Sequence, residues 1–181
     1  MDMVVRHAVV RGHQGMVDIV IEKDRIARVE AKVAGKGGRE IDAAGSLVLP
    51  GLFNLHLHAD KCLLGEIMRP NLSGTLPEAI EITNDFKRKY DPAEVAERAS
   101  RAIEAGVKNG TTFFRLFADV GTIGGLRAAR GLLLAREKFG GYCDIQVVAF
   151  PQEGIVRDPG AAELLDEAMK EGCDIVGGLP W

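Results

Sequence analysis

Near the amino terminus the chain carries the two-residue period of half-buried strands. Residues 4–10 are β-prone, and residues 16–22 and 25–30 alternate apolar with polar side chains. Arg11-Gly12-His13-Gln14-Gly15 and Lys23-Asp24 supply the turns between them. This predicts a strand meander that buries one face. After residue 48 the pattern changes. Continuous apolar runs at 111–117, 145–150 and 174–178 are separated by segments of helical period at 76–90, 91–109, 126–139 and 159–170. Asp91-Pro92-Ala93-Glu94 has the signature of a helix start: a capping carboxylate, proline in the first position and an acid in the first turn. Val95, Ala99, Ala102, Ile103 and Val107 form the stripe that helix would bury. Apolar strands alternating with helices predict a parallel sheet of βα units, its strands covered on both faces.

Composition narrows the function classes without naming one. With 181 residues, 46% hydrophobic and 27% charged, the chain has the balance of a soluble globular protein. A net charge of −3 argues against nucleic acid or an anionic membrane as partner. Cys62, Cys143 and Cys173 are odd in number and widely spaced, which favours free thiols in a reducing compartment, and the cytoplasm is the expected location. Neither a signal peptide nor a membrane span is visible. His7 and His13 fall in the meander and are expected to be solvated, and the glycine-rich segment 34–39 lacks the strand-to-helix context of a phosphate loop.

The candidate chemistry is concentrated in residues 47–61, Leu-Val-Leu-Pro-Gly-Leu-Phe-Asn-Leu-His-Leu-His-Ala-Asp-Lys. Successive side chains of a strand point to opposite faces, so His56 and His58 are expected on one side, where two imidazoles can hold one divalent metal. A His-x-His pair alone is weak. Its place at the end of an apolar strand, after Pro-Gly and before Asp-Lys, is what makes it a candidate.

This Pro-Gly…His-x-His-x-Asp segment resembles the end of the first barrel strand in the amidohydrolase superfamily. Gln146-Val-Val-Ala-Phe-Pro-Gln-Glu-Gly-Ile155 resembles, more specifically, the cytosine deaminase branch. The resemblance implies the amino-terminal part of a (β/α)8 TIM-type barrel, about four βα units over residues 48–181, preceded by a β-sandwich segment over residues 1–47. It implies a metal-dependent hydrolase that deaminates a nitrogen heterocycle (cytosine-, isoguanine- or triazine-like) by attack of metal-bound hydroxide. One divalent metal, zinc or iron, is expected on His56 and His58, because segment 174–181 lacks the lysine that bridges two metals in binuclear relatives. Gln152 is the expected substrate contact, its amide matching a ring carbonyl beside a nitrogen. Glu153 is expected to cap or orient its loop, Asp119 either caps a loop or takes part in catalysis, and Lys61 is either a substrate contact or a solvated charge. Glu66 is expected to be solvated.

Two departures from the cytosine deaminase pattern stand out. Leu116-Phe117 replaces Thr-His, and Trp181, which either stacks on a ring or joins the core, replaces His; both favour a larger or less polar heterocycle than cytosine. All four histidines lie at or before His58, so the remaining ligands and the proton shuttle are expected downstream of Trp181. A closed barrel needs about 250 residues, and the 181 residues are expected to be the first part of a longer, homo-oligomeric protein. The alternatives are hydrolysis of a cyclic or linear amide, and a non-catalytic half-barrel acting as an assembly module.

Overall fold

The structure, a computed structural model, describes residues 1–179. Trp181, the candidate stacking residue, lies outside them. The chain divides into two compact units, Met1–Pro50 and the part that begins at Gly51.

The first unit contains β1 (Met3–Val10), β2 (Met16–Glu22), β3 (Arg25–Glu30), β4 (Arg39–Asp42) and the short β5 (Leu47–Val48). β1, β2 and β3 pair antiparallel as the alternation predicts, while β4 and β5 pair parallel to β1. The sheet order is β3-β2-β1-β4. Val4, Val20 and Val33 make its buried cluster. The described residues of this unit form one sheet, so the second layer expected of a β-sandwich is not among them. β1 and β2 shift register between Val5 and Ala8, where His7 has φ of 53°. His7 is exposed there and pairs with Asp42 at 2.9 Å. His13 is likewise exposed.

The second unit is built on a parallel sheet whose strands follow chain order: β6 (Leu52–Leu57), β7 (Thr111–Asp119), β8 (Asp144–Phe150) and β9 (Ile175–Val176). Helices α1 (Leu76–Lys87) and α2 (Pro92–Lys108) join β6 to β7, α3 (Arg127–Phe139) joins β7 to β8, and α4 (Ala161–Lys170) joins β8 to β9. The Asp91 carboxylate caps α2, accepting from the Ala93 N–H at 2.9 Å. Phe114, Leu116, Ala118, Val147 and Ala149 alternate onto one face of the sheet. There they form a buried core with Val95, Ala99 and Ile103 of α2 and Ala128 and Leu132 of α3. Among the described residues no helix is long and apolar enough to cross a membrane.

The apolar run 47–57 is divided: Leu47–Val48 pairs with β1, and pairing with β7 begins only at Leu52. Pro50 has no N–H to donate, and a Cβ on Gly51 would collide with the Thr112 side chain, so the Pro-Gly pair is a crossing point between sheets. The strands are also not covered on both faces. Phe53 is 67% exposed on the face opposite the helices, against Phe113 at 5.5 Å between ring centroids. That face of the sheet has no covering layer among the described residues of this unit.

Candidate metal and substrate site

His56 and His58 lie at the carboxyl end of β6. A register shift between Asn54 and Leu57 turns Leu57 toward the helices, opposite Leu116, and leaves both imidazoles on the open face. Their ring centroids are 5.0 Å apart. Phe117 stands 4.3 Å from the His56 ring and 5.4 Å from the His58 ring, and Phe150 stands 5.6 Å from His58. This aromatic wall half-buries His58. Burial, with the Lys61 and His56 charges adding to it, pushes the His58 imidazole down to about 4. At neutral pH the ring is therefore uncharged, the form in which histidine binds a metal. Its Nδ1 atom is buried and has no hydrogen-bond partner. An orphaned imidazole nitrogen beside a second imidazole fits a metal ion as the absent partner. The described residues contain no group of three or more His, Cys, Asp and Glu side chains able to hold one.

The Leu116-Phe117 departure resolves by strand alternation. Leu116 is fully buried in the helix-facing core and takes no part in the site. Of the two, Phe117 alone meets the imidazoles.

The turn after His58 is fixed from α2. Arg98 is 5% exposed and donates to the carbonyls of Asp60 (2.9 Å) and Cys62 (2.7 Å), while the Tyr90 hydroxyl donates to the Asp60 carbonyl at 3.2 Å. Glu94, one turn earlier on α2, clamps the other edge of the guanidinium. The Asp60 carboxylate is wholly buried and accepts from the Asp119 N–H at 3.1 Å. Burial raises the Asp60 pKa, against the Lys61 charge, which lowers it.

Asp119 ends β7 as a buried carboxylate. Its Oδ2 faces the Lys61 ammonium at 3.0 Å and the Lys87 ammonium at 2.8 Å, so two cations hold it. Lys61 also approaches Gln152 Oε1 at 3.4 Å, and Lys87 pairs with Glu153 at 3.0 Å. These five residues line a cleft of about 700 Å³ together with the apolar side chains of Leu76, Ile80 and Ile123. The cleft thus gathers Gln152 with Lys61, Lys87, Asp119 and Glu153, while His56 and His58 are not among its lining residues. Glu66 stays at the surface with Arg101.

Lys87, Asp60 and Arg98 were missed by sequence reasoning. Lys87 had a local signal: it continues the stripe of Leu76, Ile80 and Thr83 that lines the cleft. Asp60 stands inside the His-x-His-x-Asp segment. Arg98 falls within the buried stripe of α2 between Val95 and Ala99, where an arginine needs buried partners.

No protein-family model matches the chain. Among curated proteins it is 34% identical over 182 residues to N-isopropylammelide isopropyl amidohydrolase of Pseudomonas sp. (strain ADP), covering 98% of this chain and 45% of that protein. Among solved structures it is similar to 5-methylcytosine deaminase from Klebsiella pneumoniae, with TM-score 0.86 and 32% identity over 97% of this chain and 43% of that one. It is also similar to N-isopropylammelide isopropylaminohydrolase from Burkholderia multivorans, with TM-score 0.83 and 33% identity over 97% of this chain and 44% of that one. The chain spans less than half the length of each of these relatives. Both quoted motifs fall inside the matched length, over which the chain is similar to these cytosine deaminase-like amidohydrolases.

Proposed function

We propose that this chain forms the first half of the barrel of a metal-dependent hydrolase that removes ammonia or an amine from a nitrogen heterocycle. The observation that carries the reading is the imidazole pair at the carboxyl end of β6, with the His58 Nδ1 buried and unpartnered. The chemistry of a βα barrel lies at that end of its strands. Four parallel strands in chain order, with helices on one face and aromatic side chains on the other, support the half-barrel.

His56 and His58 would hold one divalent metal, zinc or iron. Such an ion supplies Lewis acidity and lowers the pKa of water. The remaining work falls to side chains. Hydrolysis breaks the ring-carbon-to-nitrogen bond, forms a carbon-to-oxygen bond and releases the amine with a proton. Gln152 offers donors and an acceptor to the ring edge, and Lys61 offers a cation beside it. Phe117 and Phe150 exclude water from the His58 side and favour a ring less polar than cytosine.

The test is a panel of cytosine, 5-methylcytosine, N-isopropylammelide and a cyclic amide, given to the full-length protein loaded with zinc or iron. Release of ammonia or amine, abolished in the H56A/H58A variant, is the expected result. Ring opening of the cyclic amide alone would replace deamination by amide hydrolysis. No turnover across the panel would overturn the reading.

A further inference from the structure

Lys87 is only 2% exposed, yet it joins three parts of the second unit. It sits at the end of α1, and its Nζ lies 2.8 Å from Asp119 Oδ2 at the end of β7 and 3.0 Å from Glu153 Oε1 in the loop after β8. Burial works to lower its pKa, but the Asp119 and Glu153 carboxylates outweigh burial and raise it, so Lys87 is a cation at neutral pH. Taking an ammonium out of water is costly and is offset only where carboxylates surround it. Here both partners lead to one residue. Glu153 adjoins Gln152 in the chain, and Asp119 shares its Oδ2 with Lys61, whose Nζ is 3.4 Å from Gln152 Oε1. The contacts run from Gln152 through Glu153, Lys87, Asp119 and Lys61 and return to Gln152. They grip it through its backbone on one side and its amide on the other.

We propose that Lys87 is the positioning residue for Gln152. Its buried ammonium anchors the loop after β8 through Glu153 and sets the place of Lys61 through Asp119, so the Gln152 amide is held ready for the substrate ring. The inference rests on the reading of Gln152 as the substrate contact. Lys87 itself does not touch the reacting atoms.

The experiment is a double-mutant cycle in the full-length, metal-loaded protein, using whichever heterocycle of the panel the wild type turns over. The variants are K87M, E153Q and Q152A, with the K87M/Q152A and E153Q/Q152A pairs. E153Q loosens the loop while leaving Lys87 paired with Asp119, so it carries the test if K87M does not fold. K87M and E153Q are each expected to raise KM about tenfold, the scale of coupling within one polar network, with kcat and bound metal little changed. In the Q152A background neither is expected to raise KM further.

Full additivity with Q152A would overturn the proposal and leave Lys87 a purely structural ion, with the Gln152 reading intact. An unchanged KM in both K87M and E153Q would overturn it as well. An unchanged KM in Q152A would instead overturn the underlying substrate contact, and no turnover by the wild type would overturn the hydrolase reading itself.

Discussion

Asp18 in the first unit and Asp119 in the second are both buried carboxylates beside cations, and their surroundings differ in one respect. Asp18 accepts from the N–H of Val33 at 2.9 Å, from the N–H of His7 at 3.1 Å and from Arg6 at 2.9 Å. Burial alone would raise its pKa, but these donors outweigh it and hold the carboxyl at about 2. Beside Asp119 the bonding is unfinished. Its Oδ2 meets the Lys61 and Lys87 ammonium groups, but nearby Asp60 Oδ1 and His58 Nδ1 are buried with no hydrogen-bond partner. A saturated polar network fixes a fold, whereas buried polar atoms left without a partner call for another explanation, such as a bound group. The contrast separates scaffold from site without reference to any relative.

Substitution at the two carboxylates sharpens the contrast. D119N leaves Lys61 and Lys87 sharing a neutral amide, and breaking a buried pair in this way costs about 3 kcal/mol or more. Urea unfolding of the full-length protein should show that loss, accompanied by a raised KM. D18N should cost less, about 2 kcal/mol, the linkage worth of a carboxyl held near 2 in the fold against 3.8 outside it. Its kcat and KM should equal those of the wild type, since Asp18 belongs to the first unit. If D18N raised KM as much as D119N, the division into scaffold and site would fail.

The smallest effect concerns pH. Asp18 is depressed in the folded state, so its contribution is present above about pH 4 and is lost as pH falls toward 2. The unfolding midpoints of wild type and D18N should therefore differ at neutral pH and converge across that window. A constant gap between them would mean that Asp18 stabilises through packing and not through its charge.

Local pattern made much of this legible. The two-residue period put His56 and His58 on one face, and Asp91-Pro92 marked the start of α2. The same period decides between Leu116 and Phe117, since adjacent strand residues cannot both face the imidazoles. What escaped is long-range. Lys87 meets Glu153 66 positions along the chain, and nothing in the helical period of α1 names that partner. Nor does the apolar run 47–57 announce that it serves two sheets. That division comes from the close approach of Thr112 at Gly51. The open aromatic face was hidden for a related reason: an apolar strand reads the same whether or not a layer covers it.

The central claim is that the imidazole pair holds a metal, and metal content tests it most directly. The full-length protein and its H56A/H58A variant, each dialysed against a weak chelator and analysed for zinc and iron, are the two samples to compare. One equivalent of divalent metal in the wild type and none in a folded H56A/H58A protein is the result this account predicts. An equal metal content in both would contradict it and place the ion elsewhere.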